Sequence, residues 1–205
     1  MALLLYTQPI WSTVFGKVVL NESFTKTKSL ANVAAIAGVV TITEPWNSFG
    51  GNPLAFFIAG LSGVLLSAWV IMGRKSGLLG HNPVVTAFNT KLFALVWGIA
   101  SLPVLILLIP ESTITAFNLE KLPAYFILLL AYSLISGTIP DLLFYKGIAS
   151  IPASVGGIIL LLEPVSAIAI AAIFLNQAIT TLVLLGGALI LFSNFLVTRE
   201  SKNSS

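Results

Sequence analysis

Residues 158–180 read IILLLEPVSAIAIAAIFLNQAIT, and residues 3–25 read LLLYTQPIWSTVFGKVVLNESFT. Each stretch is apolar, contains an acid or amide followed by Pro, and has Asn twelve residues after that Pro. The two stretches are related by an offset of 155 residues, and the match extends to Leu30 and Leu185. We therefore interpret the chain as containing an internal repeat.

The composition excludes a soluble globular protein. The 205 residues are 57% hydrophobic and 8% charged, with a mean hydropathy of +1.02. A soluble domain usually carries about 25% charged residues. The same figures exclude a disordered or fibrous chain. Because the chain has no Cys and a single His, we expect no disulfide, no metal site and no cofactor. We also expect no enzymatic activity and no nucleic-acid binding.

The apolar segments predict an all-α, polytopic membrane helix bundle. A helix needs about 20 residues to cross a bilayer core of about 30 Å, and the chain offers seven candidate spans. The second span is the shortest and must include Ser29 or Glu44 to reach across, and the loops are too short to fold separately. The spans, named A to G, lie at about 2–20, 30–43, 53–73, 91–109, 123–145, 153–175 and 180–198.

The basic residues predict the orientation of the bundle. If the loop between spans A and B is cytoplasmic, nine of the ten Lys and Arg residues lie on the cytoplasmic side and only Lys121 lies opposite. Basic residues favour the cytoplasmic side of a membrane. We therefore predict a multi-pass plasma-membrane protein with its N-terminus outside and its C-terminus inside. The nine are Lys17, Lys26, Lys28, Arg74, Lys75, Lys91, Lys146, Arg199 and Lys202.

The position of the repeat predicts an inverted architecture. Spans A and F are five helices apart, so equivalent helices cross the membrane in opposite directions. Five-helix inverted repeats are typical of many secondary transporters. Residues 53–198 then form a complete second repeat, residues 1–45 hold the last two helices of the first, and residues 199–205 form a cytoplasmic tail. We expect three N-terminal helices to be missing, through truncation, a misassigned start or division between two chains.

The repeat resembles the drug/metabolite transporter superfamily, specifically its EamA-type ten-helix members, aligned to their last seven helices. An acid at the helix exit is typical of that family; Glu22 keeps it and Gln177 replaces it. The resemblance implies an integral-membrane carrier of small metabolites, often an exporter, that works by alternating access. The residues that carry it are Glu163-Pro164, residues 175–180, Gly186-Gly187-Ala188, Pro9, residues 20–22, Thr25 and Gly38.

Glu163 is our first candidate for binding substrate or coupling a proton. It lies near the middle of span F, where an ionisable group costs at least about 2.5–3.5 kcal/mol. We therefore expect it to face the bundle interior or a wet cavity. Pro164 has no N–H and its ring clashes with the carbonyl of Leu160, so we expect a free carbonyl beside the carboxyl. The alternative is a protonated Glu163 that only joins helices, or a kink that only shapes the bundle.

Four further positions complete the candidate site. Gln8, followed by the helix break at Pro9, is an uncharged version of the Glu163-Pro164 pair. Tyr132 and Asn194 are predicted to line a polar cavity. Asp141 is a candidate gate at the cytoplasmic mouth. The alternative for Asp141 is a headgroup-level side chain that extends toward water.

The leading interpretation is a secondary transporter of small metabolites, with proton coupling as one option. The alternative is a non-transporting truncated remnant or a subunit of a split transporter. The expected partners are a small-molecule substrate, the lipid bilayer, and either a second copy of the chain or a chain that supplies the missing helices. A retinal receptor is excluded because span G has no internal Lys, and the motifs of serine proteases and ATP-driven pumps are missing.

Overall fold

A computed structural model describes residues 2–44, 46, 53–108 and 122–203, and every regular element in these ranges is helical. The all-α prediction is confirmed for this part of the chain. Most of the predicted loops at 44–52 and 110–122, including Lys121, lies outside the described residues, as do both chain ends. The helices are α1 (Ala2–Leu5), α2 (Gln8–Leu20), α3 (Lys26–Thr43), α4 (Pro53–Leu78), α5 (Pro83–Leu108), α6 (Leu122–Tyr132), a π-helical turn (Ser133–Thr138), α7 (Ile139–Ile148), α8 (Ala153–Ile159), α9 (Leu162–Leu175) and α10 (Thr181–Asn203).

Five helical stretches in the described ranges are long and apolar enough to cross a membrane, and they correspond to predicted spans C to G. Helices α2 and α3, with 13 and 18 residues, are not among them. A total of seven crossings therefore stays a prediction. The five stretches are Phe57–Leu78, Pro83–Val104, Tyr125–Ile148, Ala153–Leu175 and Thr181–Ser201.

Two helices begin earlier than the hydrophobic pattern predicts, because a polar residue caps each of them at its N-terminus. Span D was expected to begin near Lys91, but α5 begins at Pro83, directly after Asn82, whose side chain accepts a backbone N–H at 2.9 Å. Asn as the cap followed by Pro in the first turn is a favoured helix start. Similarly, α3 begins after Thr25, whose hydroxyl accepts a backbone N–H at 3.2 Å. Lys91 therefore lies inside a helix.

The chain divides into two compact units, Met1–Lys75 with Ser150–Ser205, and Ser76–Ala149. In the first unit, α3 and α10 share the most extensive packing contact. The Ser193 hydroxyl donates to the carbonyl of Ala31 at 2.7 Å, and a Cβ built on Gly38 would lie 2.6 Å from the carbonyl oxygen of Gly186. Partner numbers fall along α10 as they rise along α3, so the two helices are antiparallel.

Helices α2 and α8 of the first unit are also antiparallel. A Cβ built on Gly157 would lie 2.8 Å from the Cβ of Ser12, and one on Gly16 would lie 3.9 Å from the Cβ of Ala153. Small residues at these crossings let the helices approach closely. Two apolar clusters pack around α3, α8 and α10, formed by Ala31, Val155, Ile158 and Val197 and by Ala35, Val39, Leu161 and Ile190.

Helices α2 and α9 end in the same way. Each has an Asn in the left-handed region at its C-terminal cap, with φ 54° and ψ 31° at Asn21 and φ 52° and ψ 33° at Asn176. The next backbone N–H returns to the carbonyl six positions earlier, at 3.0 and 3.4 Å. Thr25 and Thr180 then accept a backbone N–H from three residues ahead, at 3.2 and 3.3 Å. Asn tolerates the left-handed conformation that such caps require.

The second unit packs α5 against α7. The hydroxyls of Thr90 and Tyr145 lie 2.9 Å apart and join the two helices. Between α6 and α7 the helix widens into the π-helical turn, where the N–H of Ile139 bonds the carbonyl of Leu134, five residues earlier. The apolar run of span E predicted one uniform helix here. Pro140 follows the turn, and its missing N–H removes a bond that a regular α-helix would need.

Candidate functional site

Spans A and F each break shortly before their Pro residue, Pro9 or Pro164. Helix α1 ends at Leu5 and α2 begins at Gln8, whereas α8 ends at Ile159 and α9 begins at Leu162. The carbonyl of Leu160, which we expected to be free, accepts the N–H of Glu163 at 3.0 Å. The chain compensates for the Pro by tightening into a three-residue turn. The carboxyl therefore has no loosened Leu160 carbonyl as its neighbour.

Gln8 is buried at the break in span A, with 1% of its surface exposed. Its Nε2 donates to the Oγ of Ser12 at 2.9 Å, and that hydroxyl lies 2.9 Å from the Oγ of Ser67 on α4. Gly157 on α8 lies against the same group, because a Cβ there would be 3.1 Å from the Gln8 Nε2. The break in span A is thus enclosed by α4 and α8.

Asn194 is also buried and lies at the break in span F. Its Nδ2 donates to the carbonyl of Ile158 at 3.2 Å and to the carbonyl of Ile190 at 3.1 Å. The Ile158 carbonyl belongs to the last turn of α8, where regular helical bonding ends. The Oδ1 of Asn194 is buried and accepts no hydrogen bond from the described residues. The amide therefore supports the break and retains one unused acceptor.

Glu163 lies in the first turn of α9, where a carboxylate complements the positive end of the helix dipole. It is within electrostatic range of the Tyr6 hydroxyl on the other broken span. We expected Glu163 to face the bundle interior or a wet cavity. In the first unit its surface is exposed, and no residue of α9 is buried. The two breaks therefore differ: the described helices enclose Gln8 and leave Glu163 open.

The remaining candidates lie in the second unit. Tyr132 is the last residue of α6, and 70% of its surface is exposed. The Oδ2 of Asp141 lies 2.7 Å from the Nζ of Lys91. Gly137 of the π-helical turn lies beside this ammonium, since a Cβ there would be at an ordinary contact distance of 3.6 Å from Nζ. Asp141 is thus one partner of an ion pair between α5 and α7, which no local spacing in the sequence indicates.

Glu22 forms contacts that the sequence did not predict. Its Oε1 accepts the backbone N–H of Ala153 at 2.7 Å and lies 3.8 Å from the Nε of Arg74. Its Oε2 lies 3.5 Å from both the backbone nitrogen and the hydroxyl of Ser154. The carboxylate therefore joins the end of α2, the end of α4 and the start of α8. Partners more than 130 positions apart leave no signal in local spacing.

A cavity of about 230 Å³ lies beside Glu22 in the first unit. Lys28 contributes a side chain that is buried and donates from Nζ to the carbonyl of Ser23 at 2.7 Å. Four segments that we predicted to share the cytoplasmic side meet here, so they lie at one end of this unit. The lining residues are Ser23, Lys28, Arg74, Ser150, Pro152, Val155, Glu200 and Ser201.

The sequence matches the model of the EamA-like transporter family over residues 53–199. Comparison with curated proteins gave no significant match, and neither did comparison with solved structures. The matched region covers well over half of the chain and includes α4 to α9 and most of α10. Together with apolar helices long enough to cross a bilayer, it makes this a multi-pass membrane protein. The chain belongs to the EamA-like transporter family.

Proposed function

We propose that the chain is a secondary carrier of small metabolites that works by alternating access. The observation that carries the proposal is that two broken spans share one set of turn and cap geometries and pack in opposite directions. In inverted repeats of this kind, a pseudo-twofold axis relates the two halves of the carrier. The carrier can therefore alternate between an outward-open and an inward-open state around one central site. The family match supports transport of a small molecule but does not identify it.

The contacts between α3 and α10 support an inverted repeat. Adding 155 to Ala31 gives Gly186, and subtracting 155 from Ser193 gives Gly38. The bonded pair Ala31 and Ser193 is thereby converted into the touching pair Gly186 and Gly38. A set of contacts that is unchanged when the two helices are exchanged is the property expected of a twofold relation between them.

The shared end of the first unit supports the proposed topology. The segments that follow α2 and α7, the C-terminal part of α4 and the final turn of α10 line one cavity. Alternating crossings place these four segments on one side only if span B also crosses, and we expect span A to cross with it. We therefore propose seven crossings, with this end in the cytoplasm, where basic residues accumulate. The N-terminus then lies outside, in the plasma membrane.

Glu163 is the residue that we propose to bind the substrate or to couple a proton. It is a carboxyl on a broken helix near the centre of a span, and it is open to a ligand on the side that no described helix covers. Gln8, Tyr132 and Asn194 are proposed as further lining residues, and Asp141 as part of a gate. Export is the direction we propose, on the basis of the family resemblance.

Transport by the purified chain in lipid vesicles tests the proposal. A screen of metabolites should identify one whose movement requires the protein, and Glu163→Gln should reduce that rate at least tenfold and remove its pH dependence. Glu44→Gln, which makes the same charge change at the end of α3, serves as the control. Unaltered rates and pH dependence in Glu163→Gln would refute the role of this carboxyl.

A second candidate function is that of a subunit without transport activity of its own, either a remnant or half of a split transporter. The observation that favours it is the open face of α9, where Ile173 and Phe174 are more than 70% exposed. A second copy of the chain, or a chain supplying further helices, would cover this face. Transport by the chain alone in vesicles would exclude the candidate; activity that requires a co-expressed partner would support it.

A further inference from the structure

The Glu22 carboxylate acts as the N-terminal cap of a helix that lies far away in the sequence. Helix α8 begins after Pro152, whose side chain has no oxygen that could cap it. Glu22 supplies the missing acceptor to Ala153 and Ser154. Hydrogen bonds to a charged acceptor are about twice as strong as neutral ones. One side chain therefore holds the start of α8 against the end of α2.

Gly16 makes this contact possible. The carboxylate folds back over α2, so that a Cβ built on Gly16 would lie 2.9 Å from the Glu22 Oε2. Real Cβ atoms essentially never come so close to another heavy atom, so a side chain here would displace the carboxylate. The glycine and the acid thus form one device, which also reaches the Arg74 guanidinium.

The equivalent end of α9 has the same turn but no such device. Gln177 occupies the position of Glu22 and Ala171 occupies that of Gly16, and both differences oppose a folded-back carboxylate. Gln177 is exposed, and its side chain forms no hydrogen bond or ion pair in the part of the chain that the structure describes. The two ends of the repeat are therefore unequal, although the backbones of their turns are alike.

We infer that Glu22 is a positioning residue that closes the carrier at the cavity end. Helix α8 has only seven residues between this contact and the break in span F. Separating α8 from α2 would open the end of the bundle and also move the break that precedes Glu163. The inference rests on the proposed carrier function. The Glu22 carboxylate stabilises the closed state at the cavity end. At the equivalent turn, we expect Gln177 to stabilise no such closed state.

Single cysteines can report the closure without background, because the chain contains no Cys. Val155→Cys places a thiol on α8 at the cavity, where the side chain is 2% exposed. Val165→Cys places one on α9, in the opposite half of the same unit, beside a separate apolar pocket. The rate of labelling by a polar thiol reagent is measured for each reporter in open membrane fragments.

Glu22→Ala and Gly16→Ala should each raise the labelling rate at position 155 about tenfold or more, as expected from the loss of a charge-assisted hydrogen bond. The rate at position 165 should stay the same or fall. Gln177→Ala is the matched control, because it truncates the same position of the same turn. It should change neither rate.

Two results would overturn the inference. The first is an unchanged rate at position 155 in Glu22→Ala. The second is an equal rise at both reporters, which would mean that the contact only stabilises the fold. If Glu22→Ala does not fold, Gly16→Ala alone decides, because it retains Glu22 and only displaces its carboxylate from the start of α8. Labelling needs no substrate, so a chain that fails to transport would defeat the proposed function without altering this outcome.

Discussion

Gly38 and Gly186 bring the backbones of α3 and α10 into direct contact. A Cβ on Gly38 would lie 2.6 Å from the carbonyl oxygen of Gly186, and a Cβ on Gly186 would lie 2.5 Å from that of Gly38. The obstacle is backbone in both cases, so a flexible side chain cannot move aside. This reciprocal contact joins the two helices that we propose to be exchanged by the repeat.

Gly186→Ala should therefore destabilise the first unit by about 1–3 kcal/mol, the usual cost of overpacking a filled contact. Gly187→Ala is its neighbour and control, since a Cβ there meets nothing within 4 Å. Thermal unfolding of the two variants in the same detergent gives the comparison. Equal midpoints would contradict the close contact of α3 with α10.

Gln8 and Glu163 occupy equivalent positions in spans A and F. Replacing Gln8 by Glu should prevent folding, whereas replacing Glu163 by Gln should not. Gln8→Glu puts a carboxylate where Ser12 now accepts an amide N–H and where Gly157 leaves no space for water. Burying an unpaired charge costs several kcal/mol, so we expect little folded protein. Glu163→Gln changes an open position and should fold normally. Yield and size-exclusion profiles check both, and equally stable variants would contradict the enclosure of Gln8.

The similar turns and caps of spans A and F could be predicted from the sequence because their signals are local. Pro9 and Pro164 remove backbone donors, and Asn21 and Asn176 adopt the left-handed conformation, so both copies follow the same path. Surroundings could not be read in this way. Gln8 is enclosed because Ser67 and Gly157 come from other helices, and Glu163 has no equivalent neighbours in the described chain.

Caps and ion pairs explain the other differences between the predicted and the observed helices. Asn82 starts α5 earlier than hydrophobicity alone suggests, which moves Lys91 into the helix and opposite Asp141. The pairing of Asp141 with Lys91 could not be predicted, because spacing tests only sequence neighbours, such as Lys146. The π-helical turn after Tyr132 depends on how α6 continues into α7 past Pro140. The hydrophobic pattern of span E does not predict such a change of helix type.

Asn194→Ala should weaken the break in span F. The variant removes the donor to the Ile158 carbonyl and leaves that carbonyl without its side-chain partner. We expect a loss of about 1–2 kcal/mol of stability. Asn176→Ala, at the exposed end of α9, is less suitable as a control because its left-handed backbone would be strained. Ser166→Ala is preferable, because its hydroxyl only bonds its own helix. Equal stability of Asn194→Ala and Ser166→Ala would contradict this role.

Lys91 and Asp141 should stabilise the contact between α5 and α7 as a pair, so that neither charge contributes its full effect without the other. Lys91 lies eight residues after the start of α5, and Asp141 lies seven residues before the end of α7. At a rise of about 1.5 Å per residue, both lie about two turns inside stretches apolar enough for a membrane. Ionisable groups at such depths are expected to be paired with each other. Removing one partner leaves the other charge uncompensated.

Lys91→Met and Asp141→Asn should each lower stability by about 1–2 kcal/mol, whereas the double variant should lose less than the sum of the two. Lys146→Met, five residues after Asp141, is the control and should have no effect on either single variant. Thermal unfolding of the unsubstituted chain, the two single variants and the double variant completes the cycle. Strictly additive losses of stability would show that the 2.7 Å pair does not couple α5 to α7. Such a result would also contradict the proposed role of Asp141 in a gate.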